Sequence, residues 1–434
     1  MSGISYSPWK AARFYVPLLL QAFSQSLTYP LVGSIISHGP DGVDALTAFS
    51  LGQVIQFMIG SLAGGLVMTG MVFARTRAGL ASFRRLNALM MVTLVSLQAL
   101  VCMHPLDTFI FENLLNLSPH LAEIARSTLF FSIVMQIGFF MRNIPQVILF
   151  NAYASAEANL STVARILLTV AFVAVFPRFG LLGPDWGLFA LTVPVLIEWM
   201  LSERFARKYE RRLPDDGQSS VAEQFRFTVP LSFGAGLLAV SPFMTAAFVG
   251  RSANPADMLA IHYVTLGIAN PVAYAALRMQ AVAIQFPPEW PGDRRLLRFA
   301  VVAGMLLGII PFLFSLPVIG DWYYGNCQNI PPRILATTRF VSFLYSFICM
   351  IHAVRGRVEG LAALRKCPKA VMAGQFAYFF ALVVTLAATL PTGMPGWSMS
   401  VLAIYIAPVA ATAATYLWLA GTRSRAPEAV TCGY

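Results

Sequence analysis

Apolar stretches of about 20 residues, the length a helix needs to cross a hydrocarbon core of roughly 30 Å, recur along this chain from Phe14 to Leu419. No polar stretch between them is long enough to build a soluble domain. In lipid every backbone N–H and C=O must be paired inside the protein, which leaves helical bundles or closed barrels. The runs lack the alternation a barrel strand needs, so the expected fold is an all-α polytopic bundle. The windows fall at about 12–36, 46–73, 86–106, 121–150, 158–178, 184–202, 224–250, 256–284, 296–316, 331–354, 367–389 and 397–420, which predicts twelve transmembrane helices. Composition agrees: of 434 residues 57% are hydrophobic and 11% charged, less than half the roughly 25% charge of a soluble domain.

The net charge of +11, from 30 Lys and Arg against 19 Asp and Glu, would point to nucleic acid in a soluble chain. Here placement decides. Lys10 and Arg13, the loops around Arg75 to Arg85, Arg204 to Arg226, Arg294 to Arg298 and Arg355 to Lys369, and the tail with Arg423 and Arg425 all lie on the side of the N-terminus. The opposite loops offer Arg178, Arg251 and Arg333. By the positive-inside rule both termini are expected in the cytoplasm. The basic balance then reports topology and contact with the lipid bilayer, and no nucleic-acid partner is expected. The first span is too long for a cleaved signal peptide, carries Gln21, Ser24, Gln25 and Thr28, and lacks a small-residue cleavage site. The five cysteines show no C-x-x-C spacing, so the pattern supports neither a disulfide framework nor a metal site.

Laid on itself with a shift of 213 residues, the chain matches in several separate helices. Arg13-Phe14-Tyr15-Val16-Pro17-Leu18 falls on Arg226-Phe227-Thr228-Val229-Pro230-Leu231. The same shift puts Arg85 on Arg298, Arg126 on Arg339, Arg142 on Arg355, Gly180 on Gly393 and Gly183 on Gly396. With a small slip, Leu51-Gly52 matches Leu266-Gly267. One register serving several regions indicates duplication, and weak internal symmetry of this kind marks the halves of transporters. Six spans per half make the two halves parallel repeats. The expected organisation is an N-terminal six-helix lobe over 1–202, a cytoplasmic linker over 203–223, and a C-terminal six-helix lobe over 224–434 with a short tail. Two such lobes enclosing a cavity, one rocking against the other, are the simplest device for moving a solute.

A parallel six-plus-six plan suits both the MFS transporters and the MATE-like group of drug exporters and lipid or polysaccharide flippases. MFS proteins usually carry a Gly- and Asp-containing basic motif between spans 2 and 3. The loop here, Phe73-Ala74-Arg75-Thr76-Arg77-Ala78-Gly79 followed by Arg84-Arg85, has no Asp. Together with Gly70-Met71-Val72-Phe73 before it, that loop resembles the progressive-ankylosis (ANK) branch of the MATE-like, or MOP, superfamily. Arg13 to Leu18, Val43-Asp44-Ala45-Leu46, and Arg339-Phe340-Val341-Ser342-Phe343 leading to Val354-Arg355-Gly356 add to the likeness. The resemblance implies a MATE-like fold and export of a solute or lipid-linked molecule; ANK-type proteins are associated with pyrophosphate, ATP or citrate. MATE-like drug exporters commonly hold an acidic residue in the first helix for Na⁺ or H⁺ coupling, and none occurs between Phe14 and Ser37.

A charge inside a span costs about 2.5 to 3.5 kcal/mol on insertion scales, so each is a candidate for function. Arg126 and Arg339, repeat mates near the outer ends of spans 4 and 10, could grip a phosphate or carboxylate from two sides or could snorkel to headgroups. Gln21, Gln25 and Thr28 form an uncharged stripe on span 1. Asn270, Tyr274 and Arg278 share one face by their four-residue spacing, after a Pro271 that frees a backbone carbonyl. These eight residues are the expected substrate contacts. Glu198 in span 6 and Arg165 in span 5 lie at similar depth, as a structural ion pair or as a proton-sensitive coupling site. Arg142 and Arg355 are placed at inner ends, and the lone His262 and His352 are expected in helix packing.

No P-loop, Ser/His/Asp or paired-carboxylate motif stands out, so no enzyme and no cofactor are expected. Arginines exceed acids inside the spans. That excess predicts a secondary transporter or flippase exporting an anionic or phosphate-bearing small molecule or lipid-linked substrate by rocker-switch alternating access, possible H⁺ or Na⁺ coupling left open. The alternatives are an H⁺- or Na⁺-coupled multidrug exporter of the MATE type and, from another class, a membrane-embedded lipid-modifying enzyme or scaffold. Short loops throughout suit a bacterial inner membrane.

Overall fold

The computed structural model describes residues 6–115, 117–215, 219–288, 294–328 and 330–423; within these, the side chains of 24–27, 29, 30, 43, 114, 256, 327, 422 and 423 are not described. The N-terminal half contains α1 (Pro8–Ser37), α2 (Gly42–Ser61), α3 (Leu66–Phe73), α4 (Arg77–Val101), α5 (Pro119–Phe131), α6 (Ile133–Asn151), α7 (Ser155–Val175) and α8 (Pro184–Glu210). The C-terminal half repeats the series: α9 (Val221–Val249), α10 (Pro255–Leu277), α11 (Met279–Gln285), α12 (Arg295–Ser315), α13 (Pro332–Tyr345), α14 (Ile348–Leu364), α15 (Pro368–Thr389) and α16 (Gly396–Arg423). Each helix of the first half has its mate eight places on. Among the described residues eleven helical segments are long and apolar enough to cross a membrane. They follow the apolar windows after the first, and α1 supplies a further 30-residue helix over that one.

The duplication is visible in backbone chemistry at the register of 213. The α6–α7 corner closes with Ala152 N–H to Ile148 O at 3.0 Å and Ala154 N–H to Leu149 O at 2.8 Å. The α14–α15 corner closes with their mates, Arg365 to Leu361 at 3.1 Å and Cys367 to Ala362 at 2.9 Å. Each corner turns on a non-glycine residue with positive φ, Tyr153 at 58° and Lys366 at 53°. Wide i→i+5 turns recur as well, Leu115 N–H to Ile110 O and Gln328 N–H to Tyr323 O. Gly180 at φ 69° and Gly393 at φ 72° end the mated spans 5 and 11 in the left-handed region that glycine enters without penalty.

The chain forms two compact units, Leu20–Ser232 and Met1–Leu19 with Phe233–Tyr434. This differs from a division at the linker. The boundaries lie inside α1 and α9, after Leu19 and Ser232, again 213 residues apart. The reason is that the first turns of α1 and α9 pack on the other half of the sequence. Phe14 meets Phe286 edge-on at 6.1 Å and the Tyr15 hydroxyl donates to Ala276 O at 3.0 Å. In the other unit their mates do the same, with Phe227 on Phe73 at 5.2 Å and Thr228 Oγ1 2.7 Å from Thr69 Oγ1. The strongest sequence match, Arg13 to Leu18 on Arg226 to Leu231, is therefore the segment that each half contributes to the other's packing.

The connection between halves is shorter than the expected 203–223, because α8 continues to Glu210. Side-chain pairs support that extension: Lys208 to Glu157 at 2.7 Å, the Tyr209 hydroxyl to the same carboxylate at 2.8 Å, and Arg84 to Glu210 at 2.8 Å. A cleft of about 560 Å³ opens beside it, lined by Arg77, Arg84, Arg207, Arg211, Glu203 and Glu210. Cys367 is disulfide-bonded, which the spacing of the cysteines did not indicate.

Candidate functional site

In the unit Leu20–Ser232, three helices bring charge into an apolar interior. α8 contributes Glu198, fully buried; α6 contributes Arg142 and α7 contributes Arg165, both nearly so. Arg142 Nη1 lies 2.8 Å and Arg165 Nη1 3.2 Å from the same carboxylate oxygen, Oε2 of Glu198. The other oxygen accepts from Thr162 Oγ1 at 2.5 Å. One turn further along α8, Ser202 Oγ is 2.7 Å from Ser161 Oγ. The guanidinium of Arg142 also covers the Phe139 ring at 5.0 Å. α7 and α8 approach closely through small residues: Ala158, Ser161 and Thr162 on α7 and Ser202 on α8 are all fully buried.

The other unit provides an internal control. Arg355, the mate of Arg142, pairs with Glu359 one turn on at 2.7 Å, both buried. Gln280 donates to the second oxygen of Glu359, and Arg355 stacks 4.9 Å over Tyr378. Tyr378 is the mate of Arg165. The two lobes thus place the same element pair at the same point with different charge. One holds a neutral pair, Arg355 with Glu359; the other holds two guanidiniums on one carboxylate.

Arg126 and Arg339 are committed elsewhere, each within its own unit. Arg126 Nη1 binds Asp107 at 3.1 Å, and Arg339 Nη1 binds Asp321 at 3.0 Å. Burial raises the Asp107 carboxyl, yet the Thr108 N–H, the Arg126 guanidinium and the Thr108 hydroxyl together hold it below the usual carboxylate range. Burial is also what pushes the neighbouring Cys102 thiol up to about 11, with Asp107 adding to it. These ion pairs tie the wide turns after spans 3 and 9 to spans 4 and 10.

Gln21 and Thr28 are buried on α1, while the side chain of Gln25 lies outside the described residues. Gln53 is buried on α2 with neither amide atom hydrogen-bonded among the described residues. Asn270 and Tyr274 sit on α10, Tyr274 half exposed, and Arg278 occupies the break between α10 and α11. No described hydrogen bond joins these three. His262 Nδ1 lies 2.7 Å from Ser400 Oγ, joining α10 to α16. Sequence reasoning paired Arg165 with Glu198 and missed Arg142 as the closer partner. It also passed over Asp107, Asp321 and Glu359. The signals were present: Arg142 and Arg355 are repeat mates, and Glu359 follows Arg355 by the four residues of one helical turn. Among the described residues no group of three or more His, Cys, Asp or Glu side chains could hold a metal ion.

No protein-family model and no curated protein matches the chain. Solved structures do. The eukaryotic MATE transporter AtDTX14 superposes with a TM-score of 0.69 at 14% identity, covering 95% of each chain. A MOP superfamily transporter from Pyrococcus furiosus, described as having a binding pocket of reversed polarity that suggests a different function, gives 0.67 at 14% identity over 96% of each. An outward-facing multidrug resistance MATE family transporter of the MOP superfamily gives 0.68 at 15% identity over 96% of each. The fold is therefore that of the MATE-like membrane proteins: all-helical, duplicated and multi-pass.

Proposed function

We propose that the protein is a secondary transporter or flippase that exports an anionic or phosphate-bearing small molecule or lipid-linked substrate by rocker-switch alternating access. The observation that carries this reading is the pair of buried guanidiniums, Arg142 and Arg165, on the single carboxylate of Glu198. Charged side chains in an apolar interior are expensive. The second lobe packs the same point with Arg355 and Glu359 and has Tyr378 in place of a second guanidinium, so the second arginine is not a requirement of packing. Paired guanidiniums suit the carboxylate or phosphate oxygens of an anionic substrate. Arg126 and Arg339, already bonded to aspartates, act in this reading as ties for the outer turns. Gln21, Gln25, Thr28, Asn270, Tyr274 and Arg278 remain the polar residues proposed to contact the rest of the substrate. We place the protein in a bacterial inner membrane with both termini cytoplasmic, nearest the progressive-ankylosis branch.

The competing reading, an H⁺- or Na⁺-coupled exporter of drug cations, draws on the fold alone; the first span lacks the acid that such exporters commonly hold. Efflux of pyrophosphate, citrate and ATP from proteoliposomes, measured beside a lipophilic cation, separates the two. Anion efflux in the wild type and its loss in Arg142→Gln are expected. Movement of the cation without any of the anions would refute the reading.

A further inference from the structure

We propose that the cleft between the start of α4 and the end of α8 is a phosphate-binding site, separate from the cluster around Glu198 and filled by the headgroup of an anionic phospholipid or by a soluble phosphate compound. The cleft, within the unit Leu20–Ser232, has a volume of about 560 Å³, in the range of sites that hold small molecules. Such sites are ordinarily apolar, whereas Arg77 and Arg84 line this one from α4, and Arg207 and Arg211 line it from the end of α8 together with Glu203 and Glu210. A lining of this kind selects for charge. Arg207 lies nine residues beyond Glu198 on the same helix, about 13 Å along its axis, so the two sites do not overlap. The apolar windows of spans 3 and 6 begin at 86 and end at 202. Residues 77–84 and 203–211 therefore fall just outside the hydrocarbon, at the depth of phospholipid headgroups, where basic pockets between spans bind them.

Two of the four guanidiniums are engaged and two are available. Arg84 Nη2 lies 2.8 Å and 2.9 Å from the two carboxylate oxygens of Glu210, and Arg77 pairs with Asp215 at 3.0 Å. Arg207 reaches Glu203 only at 4.0 Å, and among the described residues the Arg211 side chain has no hydrogen bond or ion pair. Both are exposed. They stand four residues apart on one face, where like charges repel; an anion between them removes that repulsion and occupies N–H donors suited to phosphate oxygens. The turn that carries Arg211 is tethered, since its carbonyl accepts from Arg77 Nη2 at 3.3 Å and the Arg77 N–H donates to Pro214 O at 3.0 Å. Helix chemistry does not ask for this cluster: cations are disfavoured at a helix N-terminus, yet α4 opens on Arg77 with no acid in its first turn. Nor does the repeat. The register of 213 puts Trp290, Leu297, Ala420 and Ser424 at the places of Arg77, Arg84, Arg207 and Arg211, so the second half does without a basic cleft at this corner.

The test measures equilibrium binding to the purified full chain in detergent, with short-chain phosphatidylglycerol, short-chain phosphatidylcholine and pyrophosphate as probes. Phosphatidylglycerol or pyrophosphate should bind about tenfold or more tightly than phosphatidylcholine, whose choline neutralises its phosphate. In the double variant Arg207→Gln, Arg211→Gln that affinity should fall about tenfold or more. The control is Arg204→Gln, Arg212→Gln, which removes the same charge from exposed positions outside the cleft and should change affinity about threefold or less. If phosphatidylglycerol binds more tightly than pyrophosphate the cleft is filled from the membrane, and if more weakly, from solution; either result supports the site provided the cleft variant loses it and the control does not. Equal losses in the two variants would mark a general field of the basic face and overturn the proposal, as would binding of neither anionic probe above phosphatidylcholine. Arg211→Gln alone changes one exposed side chain; it stands in for the double variant should that fail to fold, and should weaken binding about threefold or more.

Discussion

Replacing Arg165 with tyrosine, the residue that the repeat places at 378, tests whether the second guanidinium serves function or structure. Arg165 lies 3.2 Å from Glu198, worth about 5 kcal/mol of attraction at an effective dielectric of 20. Arg142 touches the same oxygen at 2.8 Å, so the two guanidinium nitrogens are at most about 6 Å apart and their repulsion takes back at least about 3 kcal/mol. The remaining gain is offset by the several kcal/mol needed to strip water from a guanidinium. Arg165 therefore contributes about nothing to stability, and Arg165→Tyr leaves Glu198 with Arg142 as a neutral pair like that of Arg355 and Glu359. Glu198→Ala is the contrasting case, since it leaves two bare guanidiniums and should cost about 3 to 5 kcal/mol. Thermal denaturation of the detergent-purified protein should show Arg165→Tyr within about 1 kcal/mol of the wild type and Glu198→Ala far below it, while anion flux is lost in both. Equal destabilisation of the two variants, or full flux in Arg165→Tyr, would refute the reasoning.

Three further outcomes follow from the geometry. A methyl group on Gly308 would sit 2.1 Å from the Ser346 carbonyl oxygen; Gly308→Ala must push α12 from the α13–α14 junction and should lower stability by about 1 to 3 kcal/mol, read as a drop in melting temperature. Gly180→Ala and Gly393→Ala meet no neighbouring atom within 4 Å, so each should cost only the left-handed backbone penalty of about 1 to 2 kcal/mol, and unequal losses would contradict the repeat. The Asp107 carboxyl is held low in the folded protein, so its contribution is fully present above the ordinary carboxylate value and is lost as pH falls through the depressed one. Amides of 106–115 should accordingly exchange hydrogen faster in acid, and Asp107→Asn should abolish that dependence.

How far the chain could be read without its structure differs between these features. The windows at 46–73 and 121–150 mark spans 2 and 4, but not their breaks at 62–65 and Ser132, because hydropathy averages over the local hydrogen bonds that decide a kink. Arg126 and Arg339 were legible as a symmetric pair, yet their aspartates lie 19 and 18 residues away across a turn whose shape no periodicity reports. Glu198 and Arg165 were legible as partners from depth alone. Arg142 was not, since its depth suggested the membrane surface and only the rotation of α6 turns it inward.

The positions of the spans and the register of duplication belong to the sequence by itself. Both are properties of distance along the chain: an apolar length matched to the bilayer, and a covalent copy 213 residues on. Which charges meet was decided only by tertiary structure, because Arg142 and Glu198 are 56 residues apart and come together through the rotation and depth of separate helices. The same holds for the exchanged first turns of α1 and α9. Hexapeptides alike at five of six positions announce a repeat, but packing across the two halves decides which compact unit each one joins.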